Sequence, residues 1–135
     1  MEQIISIDGL CKSFGDVKAV QNLSFQVKKG ELFAFLGVNG AGKSTTISIL
    51  CGQLAKDAGT VFVCGEDVEK GMEKICRKLG VVFQNSVLDS ALSVRDNLRC
   101  RAALYGITGT AFRERLAELS ALLDLEPLLA HPVGK

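Results

Sequence analysis

The first thirty residues alternate apolar and polar positions in short stretches that glycines interrupt. Ile5 and Ile7 belong to one stretch, and 23–27 form another, with apolar residues at every second position. A period of two is typical of strands that have one face buried and the other exposed. We therefore expect half-exposed antiparallel strands in this region.

Two later segments are continuously apolar: LFAFL at 32–36 and VVF at 81–83. Such runs are typical of strands buried on both faces of a parallel sheet. Helical spacing of apolar residues in 47–54 and 68–79 predicts two helices, and 59–65 is predicted to be a strand between turns. The middle of the chain is thus expected to be β-α-β-α-β, which gives an α/β fold with a parallel sheet flanked by helices.

The last third of the chain shows helical periods and no strand pattern. Apolar residues keep helical spacing through 112–123, and Ser93 with Asp96 has the form of a capping box at the start of an earlier helix. We therefore predict two parts: residues 1–88 as an α/β core with its N-terminal β region, and residues 89–135 as the beginning of a helical subdomain.

Composition and charge narrow the class of protein only broadly. The chain is 47% hydrophobic and 23% charged, and 16 basic against 15 acidic residues give a net charge of +1, which favours no nucleic-acid partner. The longest apolar run, 32–38, is shorter than the roughly 20 residues of a membrane-spanning helix, and no secretory signal is visible. Five scattered cysteines without a CxxC pair are expected to be reduced structural thiols. We expect a cytoplasmic chain.

Residues 37–44, GVNGAGKS, satisfy the phosphate-binding pattern GxxxxGK[ST]. Gly40 and Gly42 can adopt backbone conformations that other residues avoid, so that successive N–H groups point at phosphate oxygens. The predicted helix that follows adds the partial positive charge of its N-terminus. An apolar segment before the loop and a helix after it are the context that this motif requires, and we predict a site for a nucleoside triphosphate.

The side chains of the loop fit the same chemistry. Lys43 would place a full charge at the β- and γ-phosphates, Ser44 offers a hydroxyl to Mg²⁺, and Thr45 could reach the α-phosphate. Lys43 is also predicted to be catalytic. The predicted nucleotide-binding residues of the loop are Gly37, Asn39, Gly40, Ala41, Gly42, Lys43, Ser44 and Thr45.

With these residues in place, the sequence resembles the nucleotide-binding domain of ABC transporters over essentially its whole length. The segment 10–31, LCKSFGDVKAVQNLSFQVKKGE, is similar to the N-terminal β region of the family, where an aromatic residue before a glycine stacks on adenine. Phe14 matches that position, although a role in the core is the alternative. Val20 lies where the family places a small apolar residue against the nucleotide, or it packs as an ordinary strand residue.

The resemblance also assigns a role to Gln84, which follows the apolar segment 81–83. Gln84 matches the Q-loop glutamine of the family, which implies contact with Mg²⁺ and the attacking water, hence a catalytic and metal-binding role beside Ser44. The run LSVRDNL that follows at 92–98 is also similar to the family. The stretch 85–98 would then face a membrane-spanning partner.

Three features of the family have no match in this sequence: an LSGGQ-like signature, a strand ending in Asp followed by Glu, and a later histidine. ALLDLE at 121–126 continues the helical period of 112–123, and His131 lies in a loop flanked by proline. We therefore expect the chain to be the N-terminal portion of an ABC domain, ending before the signature and inactive in hydrolysis by itself.

The function implied is that of the ATP-binding subunit of a membrane transporter, with ATP and Mg²⁺ as cofactors. Its expected partners are a membrane-spanning subunit and a second nucleotide-binding domain, and its expected place is the inner face of a membrane. Two alternatives stay open: a soluble ABC-type ATPase, and a nucleotide-binding module without turnover. A GTPase or small-molecule kinase is disfavoured because the loop begins only at Gly37 and no NKxD motif is present.

Overall fold

The computed structural model describes residues 2–83 and 85–134. The chain divides into two compact units, residues 1–81 and residues 82–135. Each unit is described by itself below.

Unit 1 is built on a four-stranded sheet with the order β2-β1-β3-β4. Strands β1 (Gln3–Phe14) and β2 (Val17–Lys28) form a long hairpin, β3 (Ala58–Val63) pairs with the other edge of β1, and β4 is the short segment Glu66–Asp67. All three pairings are antiparallel. The half-exposed antiparallel strands predicted for the first thirty residues are confirmed, and so is the strand predicted within 59–65.

Helix α1 (Lys43–Leu50) and the short helix α2 (Met72–Cys76) complete unit 1. The core is formed by the apolar residues that the strands and helices turn inward: Ile7, Leu10, Val20, Ile49, Leu50, Val61, Val63, Val68 and Ile75. Helix α2 is shorter than the pattern across 68–79 predicted, because Val68 packs into the core from the turn after β4 rather than from a helix.

The pairing of β1 with β3 contains an irregularity that matters for the site. Its register shifts between the pairs Asp8–Thr60 and Cys11–Ala58. After the shift, the backbone N–H of Asp57 donates to the carbonyl of Cys11 at 3.0 Å. This places the side chain of Asp57 beside the end of β1, where the hairpin turns.

Two segments predicted to be strands of a parallel sheet, 32–36 and 81–83, are not strands in the structure. Leu32 and Val82 are each 99% exposed, whereas both were expected to be buried. The physical reason is that a strand needs a neighbour to hydrogen-bond, and neither segment pairs with a strand in the described parts of the chain. The β-α-β-α-β order expected for the middle of the chain is wrong in these two elements.

Unit 2 is helical, with α3 (Val94–Leu104), α4 (Gly109–Leu123) and a short 3-10 turn at Glu126–Leu128. The predicted cap of α3 is confirmed: the Asp96 N–H donates to Ser93 Oγ at 3.1 Å. The helical period predicted through 112–123 is also confirmed.

The buried side chain of Asn97 organises the loop that leads into α3. Its Oδ1 accepts from the N–H of Asp89 at 2.8 Å, and its Nδ2 donates to the carbonyls of Asp89 and Ser93 at 2.9 and 3.1 Å. Asn97 is 5% exposed, so these bonds satisfy groups that water does not reach. The loop 89–93 is thereby held against its own helix.

Across residues 2–83 and 85–134, no helix combines the length and the apolar character needed to cross a membrane.

Candidate nucleotide-binding site

A pocket of about 360 Å³ opens in unit 1 between the turn of the β1–β2 hairpin and the N-terminus of α1. It brings the predicted base-stacking residue and most of the predicted phosphate loop to one place. The lining residues are Phe14, Val17, Lys18, Ala19, Asn39, Gly40, Gly42, Lys43, Ser44 and Thr45.

Two glycines of the loop adopt left-handed backbone conformations, as the phosphate-binding pattern requires. Gly40 has φ +87° and Gly42 has φ +80°, and Gly42 is the residue from which α1 starts. A Cβ on Gly42 would lie 2.4 Å from the carbonyl oxygen of Ala19. Since that neighbour is backbone of β2, only glycine fits, and the unpaired N–H groups of the first turn of α1 open next to it.

The loop is held by hydrogen bonds from its own side chains. Lys43 Nζ donates to the carbonyls of Gly37 and Val38 at 2.6 and 2.8 Å, which keeps the ammonium group within the loop. Thr46 is fully buried, and its Oγ1 donates to the carbonyl of Gly42 at 2.9 Å. Side chains of α1 thus bind the start of the loop, at Gly37 and Val38, and its later part, at Gly42.

The pocket has the electrostatic character of an anion site. Lys18 and Lys43 are the charged residues of its lining, which includes no carboxylate among the described residues. Ser44 is exposed and Thr45 is half-buried in the first turn of α1, so both hydroxyls are in reach of the pocket. Two ammonium groups, two hydroxyls and the start of a helix favour a polyanion such as a phosphate chain.

Among the described residues, three predicted site residues do not line the pocket. Gly37 and Ala41 belong to the loop but contribute no surface to the cavity, and Val20 is 6% exposed and packs in the core. Val20 still lies close to the site, because its Cγ2 is 3.0 Å from the position of a Cβ on Gly42. Gln84 lies outside the described residues. The roles assigned to all the predicted site residues, including those that line the pocket, stay predictions.

A sequence profile described as ABC transporter matches residues 20–135. The chain belongs to the ABC transporter family. The match begins within β2 and includes the whole phosphate loop, α1 and both helices of unit 2.

Curated relatives of this ABC chain agree with the match. It is 38% identical over 130 residues to the probable multidrug ABC transporter ATP-binding protein YbhF of Escherichia coli, covering 96% of this chain and 22% of the relative. It is 37% identical over 130 residues to the Nod factor export ATP-binding protein I of Ralstonia nicotianae, covering 96% of this chain and 40% of the relative. The chain therefore spans less than half the length of these relatives.

Solved structures show that the fold is that of ABC ATPase domains. The structure of cbiO1 from Clostridium perfringens, described as part of the ABC transporter complex cbiONQ, superposes with a TM-score of 0.83 at 27% identity. It covers 98% of this ABC chain and 55% of the cbiO1 chain. MJ1267, described as an ATP-binding cassette of an ABC transporter in the ADP conformation, gives a TM-score of 0.79 at 25% identity, covering 100% and 59% of the two chains.

The sequence analysis missed three pocket residues that β2 contributes: Val17, Lys18 and Ala19. A signal for them was available, because they follow the turn at Gly15 directly and a hairpin returns its second strand beside the first. Val17 pairs with Phe14 in the observed register. Any ligand that stacks on Phe14 in this ABC chain therefore also meets the start of β2.

Proposed function

We propose that this chain is the ATP-binding part of the ATPase subunit of an ABC transporter. The observation that carries the proposal is the single pocket in which an exposed aromatic ring and a phosphate-binding loop face the same cavity. A nucleoside triphosphate has both chemistries that such a pocket selects, a flat base and a polyanionic chain.

The phosphate loop supports binding of the triphosphate. The backbone N–H groups between Gly40 and Ser44 and the N-terminus of α1 favour phosphate oxygens, and Lys43 neutralises the β- and γ-phosphates. Because Lys43 already donates to two carbonyls of the loop, its ammonium needs little reorganisation to meet a phosphate. In the longer protein, these groups would also stabilise the charge that develops during hydrolysis, together with Gln84.

The residues present fit Mg²⁺ bound together with the nucleotide. Mg²⁺ prefers oxygen ligands and commonly takes one or two from the protein, with the rest from phosphates and water. The hydroxyl of Ser44 is exposed beside the loop and provides such an oxygen. Ser44 would hold Mg²⁺ at the phosphates, with Gln84 proposed as a second contact, and the ion would neutralise part of the phosphate charge.

Phe14 is proposed to stack on the adenine base. Phe14 is 50% exposed and lines the pocket, so a ligand in the pocket can reach it. An exposed aromatic face beside a phosphate site is the arrangement that base stacking requires. The exposure of Phe14 at the pocket thus supports stacking on the base over a role in the core.

For the whole protein, we propose ATP hydrolysis coupled to transport, with a membrane-spanning partner and a second nucleotide-binding domain, at the inner face of a membrane. The names of the relatives, multidrug transport and Nod factor export, and of the cbiONQ complex support a transporter.

In unit 2, an apolar groove of about 240 Å³ between α3 and α4 supports a protein contact there, with Tyr105 and Ile107 at its surface. We propose residues 1–88 as the core and 89–135 as the start of the helical subdomain.

Binding of MgATP to the purified chain tests the proposed function. Lys43→Ala is expected to weaken binding at least tenfold, because a charge-assisted contact to phosphate is lost together with two hydrogen bonds within the loop. Lys70→Ala, which removes an exposed lysine outside the pocket, serves as the matched control. Equal MgATP affinity in Lys43→Ala and the wild type would refute the assignment of the loop.

A further inference from the structure

A polar cluster lies directly behind Phe14, formed by the side chains of Asp57 and Lys12 and the backbone N–H of Ser13. We call these three groups the Asp57 clamp. Lys12 Nζ donates to Asp57 Oδ1 at 2.7 Å, and the Ser13 N–H donates to Asp57 Oδ2 at 2.7 Å. One carboxylate therefore binds both residues that precede Phe14 in β1.

The clamp reaches the aromatic ring itself. Lys12 Nζ lies over the ring of Phe14, 5.7 Å from its centroid, within the range of a cation–π contact. The side chain of Lys12 is only 14% exposed, so its ammonium group is confined rather than free in solvent. The hydrogen bonds from Lys12 and Ser13 lower the pKa of Asp57, so the carboxylate stays charged across the neutral range.

We propose that Asp57 and Lys12 are positioning residues that hold Phe14 as a one-sided platform for the base of a bound nucleotide. Lys12 attracts one face of the ring, and the opposite face is left for a nucleobase. The assignment rests on the proposed function, since it concerns the base half of the same pocket. It predicts that the clamp affects ligands with a base and leaves ligands without one unaffected.

The chain contains a closely matched control next to the clamp. Lys56 and Glu69 form an ion pair at 2.9 Å with side chains 12% and 51% exposed, against 14% and 45% for Lys12 and Asp57. Neither Lys56 nor Glu69 lines the pocket. Loss of this pair removes an ion pair of similar exposure without any expected effect on base binding.

The test measures the affinities of the full chain for MgATP and for magnesium tripolyphosphate, with the melting temperature of each variant. Asp57→Asn and Lys12→Met are expected to weaken MgATP binding about two- to fivefold, as for an exposed cation–π contact, and to leave tripolyphosphate binding unchanged. Lys12→Arg should restore MgATP affinity because it keeps the cation over the ring. Glu69→Gln should change neither affinity, and Phe14→Ala should lose roughly fivefold or more for MgATP alone.

The outcomes distinguish failure of the clamp proposal from failure of the proposed nucleotide binding. Equal losses for both ligands in Asp57→Asn would show that the carboxylate supports the fold or the phosphates, and would overturn the proposal. The proposal also fails if Phe14→Ala weakens MgATP binding while Asp57→Asn and Lys12→Met do not. If Lys43→Ala leaves both affinities intact, the nucleotide function fails instead, and the clamp loses its ligand with it.

Discussion

At the scale of single residues, Gly42 joins three parts of the site. It lies in the phosphate loop, it is the N-cap of α1, and a Cβ on it would collide with the carbonyl oxygen of Ala19 in β2. Its left-handed backbone, with φ +80°, is open to glycine at little cost and strained for other residues. The alignment of the loop with the hairpin that carries Phe14 thus depends on one missing side chain.

The second residue-scale feature, the carboxylate of Asp57, makes stability depend on pH. Because its pKa is lowered in the folded chain, its stabilising contribution is complete above the ordinary Asp value of about 3.9 and is lost as the pH falls through the lowered pKa. Asp57→Asn should therefore melt below the wild type at pH 7, and the difference should shrink below about pH 4.

Thermal melts of both chains between pH 7 and pH 3 check this prediction. Phe14→Ala is the control, since it removes no titratable group and its difference from the wild type should not close in that range. A difference for Asp57→Asn that stays constant down to pH 3 would contradict the role given to the ionised carboxylate.

The phosphate loop could be predicted from the sequence, because its motif occupies eight consecutive positions, 37–44. The Asp57 clamp could not, because Lys12 and Asp57 are 45 positions apart and meet only through the shifted register of β1 and β3. Val20 shows that a resemblance in sequence does not decide which way a side chain points. It occupies the position where the family places an apolar residue against the nucleotide, but in this structure it packs in the core and does not line the pocket.

At the scale of elements, the two helices of unit 2 begin differently. Ser93 caps α3 by accepting from the Asp96 N–H and donating to its carboxylate, whereas Thr108 at the start of α4 makes no side-chain cap. Ser93→Ala should lower the free energy of unfolding of unit 2 by about 1 kcal/mol. Thr108→Ala, the matched control, should cost clearly less.

Urea unfolding followed by helical circular dichroism measures both variants. Equal losses in Ser93→Ala and Thr108→Ala would contradict the assigned cap.

The cap could be predicted because it needs only two residues three positions apart, and the strands of the N-terminal hairpin could be predicted from their period of two. The segments 32–36 and 81–83 were mispredicted because apolar runs indicate burial but do not name the strand that must pair with them.

At the scale of the whole molecule, binding of a nucleotide and its hydrolysis require different sequence motifs. The sequence contains the loop that holds the phosphates but no LSGGQ-like signature and no strand that ends in Asp followed by Glu. ALLDLE at 121–126 does not replace that strand, because 121–123 lie in α4 and Asp124 ends it in a left-handed conformation. We therefore propose that residues 1–135 do not contain all the groups that would hold Mg²⁺ and orient water.

Residues 1–135 should consequently bind MgATP and release no phosphate above background, because the sequence has no Asp–Glu pair of the expected kind to orient water and no LSGGQ-like segment to cover the γ-phosphate. A steady-state phosphate-release assay checks this, with Lys43→Ala as the control for contaminating ATPases. Turnover that disappears in Lys43→Ala would show that a catalytic carboxylate exists among Asp89, Asp96, Asp124 and Glu126, and that this proposal is wrong.

The central claim is that one pocket takes both ends of a nucleoside triphosphate. Its most direct test is the mapping of amide chemical shifts in the ¹⁵N-labelled chain during titration with MgATP. We expect the largest changes at Gly40, Gly42 and Ser44, with changes also at Lys18 and Ala19, and in Lys43→Ala the same changes should need at least tenfold more MgATP. Changes confined to residues outside this pocket, or an unchanged titration midpoint in Lys43→Ala, would contradict a shared pocket for the base and the phosphates.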